Sequence, residues 1–397
     1  MSEHRSRLDE KLGTSLRRLE RAGLRRSAYG IRRGEGGRIL LDGRAAVDFS
    51  SNDYLGLAAD PRLATALAEA ARAEGSGAAA ARLISGTHPL HLMLEEAIAR
   101  FKGAEAALLF PSGYAANVGA IPALARQGDV IYSDELNHAS LIDGARLSRA
   151  EVKVFPHCDL DALARMLEED RGRSGDRWIV VDSVFSMDGD LFPLDRLVRL
   201  ARRCDAWTYV DDAHGTGVLG ATGRGAAEHW GVEGEIDVTM GTLGKAFGTV
   251  GAFVAGSATL REWLLNRARA FVFTTAAPPA LAAAALEALR IVDAEPERRA
   301  HLWANAERLR AGLASRGYES AAGNPGHIVP VVLGGAEETV RVGRELNARG
   351  FHVGVVRPPT VPPGSSRLRV SLSAAHSPEQ IDALLDALAT VLPRRDA

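Results

Sequence analysis

A lysine placed 34 residues after a strand-end aspartate is the most chemically suggestive pairing in this sequence. Lys245 lies in Gly241-Thr242-Leu243-Gly244-Lys245-Ala246-Phe247-Gly248, and Asp211 lies in Tyr209-Val210-Asp211-Asp212-Ala213-His214-Gly215. Among glycines and small apolar residues, desolvation and a nearby cation lower an ammonium pKa and supply the neutral amine that Schiff-base chemistry needs. A buried strand-end carboxylate beside a ring nitrogen favours the protonated ring, which then draws electrons. Of the 48 basic residues only Lys11, Lys102, Lys153 and Lys245 are lysine, and a guanidinium cannot act as the amine. Lys11, Lys102 and Lys153 sit in ordinary surface contexts, so Lys245 is the candidate.

Three more segments follow strand-like runs. Phe110-Pro111-Ser112-Gly113-Tyr114-Ala115-Ala116-Asn117 leads through a glycine turn into a helix, and the N–H groups of Ser112, Gly113 and Tyr114 suit an anion such as phosphate. Asn137-His138-Ala139-Ser140 opens another helix, where the His138 ring is able to stack on an aromatic ligand. Val181-Asp182-Ser183-Val184-Phe185-Ser186-Met187-Asp188-Gly189-Asp190 sets polar groups after an apolar run. Singly, each also reads as a capped turn. In this order, a phosphate cup, a stacking ring, a carboxylate for a pyridine nitrogen and a Schiff-base lysine match pyridoxal phosphate.

The elements that must position these groups are legible in the alternation of short apolar runs with helical patterns. Strands are expected at 106–110, 129–134, 152–155, 177–182, 206–212 and 251–256, with ten to twenty helical residues between most of them, the pattern of βαβ units and a mostly parallel sheet. Residues 1–50 read as a helix and a hairpin turning at Asp42-Gly43, 51–290 as a large α/β domain, and 291–397 as a smaller C-terminal α+β domain. A ligand belongs at the carboxyl ends of such strands or between domains.

Composition narrows the class. Fifty acidic residues against 48 basic ones leave a net charge of −2, with no surplus to drive nucleic-acid binding. Two cysteines make no disulfide framework, the charged N-terminus has no apolar signal segment, and no run of about 18 apolar residues appears, so a cytoplasmic protein without a membrane span is expected. The GxGxxG match at Gly215–Gly220 is followed by a breaker-rich loop rather than a helix, which argues against a dinucleotide site. Gly244-Lys245 lacks the remaining P-loop residues. Asp211, Asp212 and His214 lack a second histidine at helical spacing, so no metal is expected, and His4, His91, His157, His229, His301, His327, His352 and His376 read as surface or satisfied core residues.

At these residues the sequence resembles the α-oxoamine synthase family of fold-type I pyridoxal-phosphate enzymes. FSSNDYLGLA, SGYAAN, NHASLIDG, DSVFSMDGD, VDDAHGTGVLG, GTLGKAFG and RPPTVPPGSSRLRVSLSAAH carry the resemblance over nearly the whole chain, and the first and last of these are most similar to its biotin-pathway branch. The resemblance implies a homodimer that binds pyridoxal phosphate and joins L-alanine to pimeloyl-CoA or a pimeloyl acyl carrier protein, releasing carbon dioxide and the thiol. It implies Lys245, His138, Asp211 and His214 as catalytic residues, and Gly113, Tyr114, His138, Ser183, Asp211, His214, Thr242 and Lys245 around the cofactor. Arg25 or Arg26, Asn52, His138, Arg357 and Thr360 would contact substrate, with Arg357 suited to the amino-acid carboxylate, and Thr274 or Thr275 would reach the partner subunit's phosphate. The rival within the family is a glycine and acetyl-CoA condensing enzyme. A non-catalytic protein that keeps the fold is the reading outside it.

Overall fold

The protein is described from a computed structural model covering residues 3–26, 28–318 and 325–392. Among the described residues thirteen strands form two sheets. Strands β1 (Ile31–Arg33), β2 (Arg38–Leu41) and β3 (Arg44–Phe49) lead the chain, and β4 (Ala106–Phe110), β5 (Val130–Asp134), β6 (Glu151–Phe155), β7 (Arg177–Asp182), β8 (Trp207–Asp211), β9 (Val238–Thr242) and β10 (Ala252–Gly256) follow. Strands β11 (Ile328–Gly334), β12 (Phe351–Val356) and β13 (Ser366–Ser371) close it. Apolar runs such as Arg177–Asp182 are buried along nearly their whole length, as expected of strands covered by helices on both faces.

The larger sheet has the order β4-β10-β9-β8-β7-β5-β6. Pairings among β6, β5, β7, β8 and β9 are parallel, while β10 runs antiparallel between β9 and β4. The strand run expected at 251–256 is therefore the reversed one. Strand β9, absent from the sequence reading, leads directly into the Lys245 loop. The carboxyl ends of β4, β5, β7, β8 and β9 emerge on one edge, where the chain order changes direction across the sheet, the place where such sheets hold ligands.

The N-terminal hairpin does not stand alone. Asp42 and Gly43 turn it with φ of 47° and 82°, the left-handed pair a two-residue hairpin requires. Strand β3 then pairs in parallel with β12, giving a second sheet of order β1-β2-β3-β12-β13-β11. One buried cluster joins Phe49, Tyr54 and Leu57 to Phe247 of the Lys245 loop, to Phe253 of the large sheet and to Leu368 and Leu388 of the C-terminal segment. This packing fixes the 51–58 loop and β13 against the carboxyl edge of the large sheet. The N-terminal helix Glu3–Arg21 presents Leu8, Leu12, Leu16 and Leu19 to solvent along one stripe. Among the described residues no helix is long and apolar enough to cross a membrane.

Candidate active site

Each candidate group is delivered by a strand end. After β4, Ser112 caps the helix Gly113–Leu124 by accepting from Ala115 N–H, which leaves the Gly113 and Tyr114 N–H groups without an acceptor inside the helix. Tyr114 itself is half exposed and donates to Asp143 at 2.5 Å. After β5, Asn137 bridges to β7 by donating to Val180 O and accepting from Asp182 N–H. His138 then caps the next helix: its N–H donates to Asp182 at 2.7 Å and its Nδ1 lies 2.7 Å from Ser140 Oγ, leaving the ring exposed.

At the end of β8, adjacent residues project to opposite faces, as strand geometry demands. Asp211 faces the 113–124 helix, where Oδ2 accepts from Asn117 at 2.7 Å and Oδ1 from Ala213 N–H. Asn117 is held in turn by Tyr209 Oη at 2.8 Å. Burial pushes the Asp211 pKa up, while the charge of Lys245 and the Asn117 bond pull it down. Asp182 is likewise raised by burial and by the charge of Asp211.

Asp212 faces the other way. Its Oδ2 takes Lys102 Nζ at 2.9 Å and Thr216 Oγ1 at 2.8 Å, and its Oδ1 takes Ser183 Oγ at 2.7 Å. Lys102 also donates to Thr216 Oγ1 and Arg224 O, with only 5% of its side chain exposed. The sequence expectation that Lys102 is an ordinary surface lysine is thus overturned: at the end of the helix Pro89–Lys102 it turns inward to neutralise a buried carboxylate. Lys153 is also paired, bonding Asp170 at 2.8 Å. Ser183 is tied to both aspartates of this strand end, its N–H donating to Asp211 O and its hydroxyl to Asp212.

Lys245 Nζ lies 2.9 Å from His214 Nε2, and His214 Nδ1 lies 2.6 Å from Tyr54 Oη. Burial lowers the Lys245 pKa to about 8, against the pull of Asp211 and Asp182. His214 is pushed well below the ordinary histidine value by burial, then by Lys245 and Arg369, so its ring is neutral. Arg369 of β13 is buried, with Nη2 at 3.1 Å from Asn52 Oδ1 and 3.4 Å from Tyr54 Oη, and its Nε donates to Ser186 O. Thr242 Oγ1 donates to Gly251 O and accepts from Gly244 N–H, which shapes the turn ahead of Lys245.

The remaining predicted substrate residues form a separate group. Arg26 Nη2 reaches Thr360 Oγ1 at 3.2 Å, and Arg357 Nη2 donates to Arg25 O at 3.0 Å. The Arg25 guanidinium turns away to Glu20. The guanidinium in the electrostatic field of Lys245 and His214 is that of Arg369, which sequence reasoning passed over, along with Tyr54 and Asn117. All three lie in segments already read as informative: SSNDYLG, SGYAAN and RLRVS. Thr274 and Thr275 line a cavity with Arg82, Pro111, Val250 and Phe271.

Of the histidines read as surface or satisfied core residues, His157 is satisfied and His327 is not. His157 sits between Asp134 at 3.0 Å and Asp190 at 2.7 Å, with Cys158 Sγ at 3.7 Å. Burial opposes its charge, yet the bonds to Asp134 and Asp190 hold its pKa up at about 12. His327 is fully buried and both ring nitrogens lack partners among the described residues.

This chain belongs to the class I and II aminotransferase family, whose model matches residues 44–388. Within that family it is similar to 8-amino-7-oxononanoate synthases. It is 51% identical to the enzyme of Anaeromyxobacter dehalogenans over 383 residues, 96% of this chain and 95% of that one. A serine palmitoyltransferase from S. paucimobilis with bound PLP-myriocin aldimine has a TM-score of 0.91 at 31% identity, covering 96% of this chain and 97% of that one. The 8-amino-7-oxononanoate synthase of Francisella tularensis has a TM-score of 0.76 at 29% identity, covering 87% and 97%. The cofactor of the family is pyridoxal phosphate.

The residues fit that cofactor. The 113–124 helix offers N–H groups to a phosphate, Asp211 offers a buried carboxylate to a ring nitrogen, and Lys245 offers an amine whose pKa burial has lowered. His138 offers an exposed ring between them in chain order, within the field of both Asp211 and Lys245.

Proposed function

We propose that this chain condenses L-alanine with a pimeloyl thioester, releasing carbon dioxide and the thiol carrier and forming 8-amino-7-oxononanoate in biotin biosynthesis. The observation that carries the reading is the Lys245–His214–Tyr54 chain beside Asp211 in a protein half identical to such synthases over nearly its whole length. When bound, pyridoxal phosphate supplies an electron sink for the pair left at the substrate Cα on loss of a proton and again on loss of carbon dioxide.

The chain's own groups divide the remaining work. Lys245 holds the cofactor through its amine and, once displaced by substrate, takes and returns the proton at Cα; a pKa of about 8 keeps a useful fraction of it neutral near physiological pH. Asp211 holds a positive ring nitrogen, with Asn117 fixing the carboxylate's orientation. The Gly113 and Tyr114 N–H groups and the Thr242 hydroxyl hold the phosphate, and His138 covers the ring. Ser183 keeps a supporting role through Asp212.

Arg369, with Asn52 beside it, presents a planar fork to the amino-acid carboxylate. Its bond to Ser186 O locks that fork against the 183–191 loop. Arg26, Arg357 and Thr360 contact the acyl substrate where the end of the N-terminal helix meets the 357–364 loop.

A homodimer completes the site in this reading. Val250, exposed at 56%, lines the cavity that holds Thr274 and Thr275, and Ile84 and Phe273, exposed at 81% and 70%, lie in the chain beside its lining residues Arg82 and Thr274; a partner subunit would cover them. The test crosses alanine and glycine with pimeloyl-CoA and acetyl-CoA and measures thiol release. Turnover with alanine and pimeloyl-CoA is expected; turnover confined to glycine and acetyl-CoA refutes the assignment in favour of glycine C-acetyltransferase chemistry.

A further inference from the structure

Tyr54 lies in the 51–58 loop, fully buried, with its hydroxyl placed between three groups. Its Oη is 2.6 Å from His214 Nδ1, 3.1 Å from Asn52 Oδ1 and 3.4 Å from Arg369 Nη2. A phenol has one proton to give. If that proton points at Asn52, His214 must carry its own proton on Nδ1 and present a bare Nε2 to Lys245. If it points at Nδ1, the neutral imidazole carries its proton on Nε2, and the 2.9 Å contact becomes a donation from His214 to the amine lone pair.

Three features select the second arrangement. The 2.6 Å contact to Nδ1 is short for an N–H donor and ordinary for an O–H donor. Asn52 Oδ1 already accepts from Arg369 Nη2 at 3.1 Å, so it is the better satisfied acceptor. The Arg369 cation beside Oη disfavours a second donor from His214 and strengthens the phenol as a donor. No second proton reaches the imidazole: burial, Lys245, Arg369, His327 and His138 all oppose its charge. Packing holds the phenol ring itself, with the His327 ring edge-on at 4.2 Å.

We infer that Tyr54 is a positioning residue that fixes His214 in the Nε2–H tautomer, so that His214 donates a hydrogen bond to the Lys245 amine in its neutral form. This rests on the reading of Lys245 as the reactive amine. The consequence is that the neutral amine is held in place by a donor. When the amine moves away, the same N–H is left for an oxygen acceptor, such as the phenolic oxygen of the cofactor. The sequence pair Asn52 and Tyr54, two residues apart, thereby sets the proton position of a histidine 160 residues away.

The test uses cofactor-free protein labelled with 15N-histidine, with two-bond proton–nitrogen correlations read above the Lys245 pKa of about 8, where the amine is neutral, and the His214 signals assigned by their loss in His214→Gln. The wild-type protein is expected to show a protonated Nε2 and a bare Nδ1; Tyr54→Phe is expected to show tautomer exchange or reversal. A second readout is the pH dependence of trace acetylation of Lys245, followed by peptide mass spectrometry. Losing the donor is expected to raise its midpoint by roughly half a unit to one unit, the scale of one hydrogen bond. A protonated Nδ1 in the wild type, which needs no variant, overturns the inference, as does an unchanged tautomer in folded Tyr54→Phe. If the wild-type protein instead formed no borohydride-reducible link between pyridoxal phosphate and Lys245, the functional reading would fail while the tautomer result stood.

Discussion

Replacing Lys102 by methionine strands the Asp212 carboxylate. The pair is buried at 5% and 2% side-chain exposure, and Asp212 also anchors Ser183, Thr216 and the N–H of Ala226. Removing one partner of a buried ion pair costs about 3–5 kcal/mol, because the remaining charge is left without compensation. With an unfolding entropy of about 2.1 cal/mol/K per residue, a chain of this length loses roughly 4–6 °C in Tm. Lys102→Arg is expected to fall nearly as far, since a planar fork does not fit where a compact ammonium meets Asp212, Thr216 and Arg224 O. The double variant Lys102→Met/Asp212→Asn removes both charges and is expected to recover about half of the loss or more. Urea unfolding followed by tryptophan fluorescence, with calorimetry alongside, measures all five proteins, the single variant Asp212→Asn included. A Lys102→Met penalty below about 1 kcal/mol, or a double variant as unstable as the sum of the singles, refutes a buried charge pair.

Further outcomes follow from the same geometry. Because Asp211 holds the Lys245 pKa up, Asp211→Asn is expected to move the Lys245 acetylation midpoint of cofactor-free protein below its wild-type value of about 8, and a rise would contradict the assignment. His157 is raised from 6.5 to about 12, so its charge stabilises the fold fully below about pH 6.5 and progressively less as pH rises towards 12. The stability gap between wild type and His157→Gln should therefore narrow from about pH 6 to about pH 9; a gap that widens refutes a charged His157 held between Asp134 and Asp190. Arg369→Lys should raise KM for alanine by roughly 10- to 100-fold through loss of the bidentate fork, while Arg357→Lys should act mainly on the acyl thioester. The reverse ranking would return the carboxylate to Arg357.

The sequence made local features legible and concealed pairings between distant segments. The runs at 106–110, 129–134 and 177–182 are dense in apolar residues and hold strands, whereas Val238–Thr242 has few apolar residues, carries Gly241 inside it and went unread. Gly241 is needed there because a Cβ would meet the Phe253 ring at 2.3 Å, so the residue that weakens the strand signal is one that packing demands. Strand pairing of β3 with β12 joins residues some 300 apart, and no periodicity reports it. Side-chain direction is partly readable: adjacent aspartates at a strand end must face opposite ways, so one of Asp211 and Asp212 was bound to leave the cleft. Which one left was decided by Lys102, 110 residues away. In a chain that uses arginine almost everywhere, a lysine stands where the larger fork would not serve, at Lys245 for its chemistry and at Lys102 for its size.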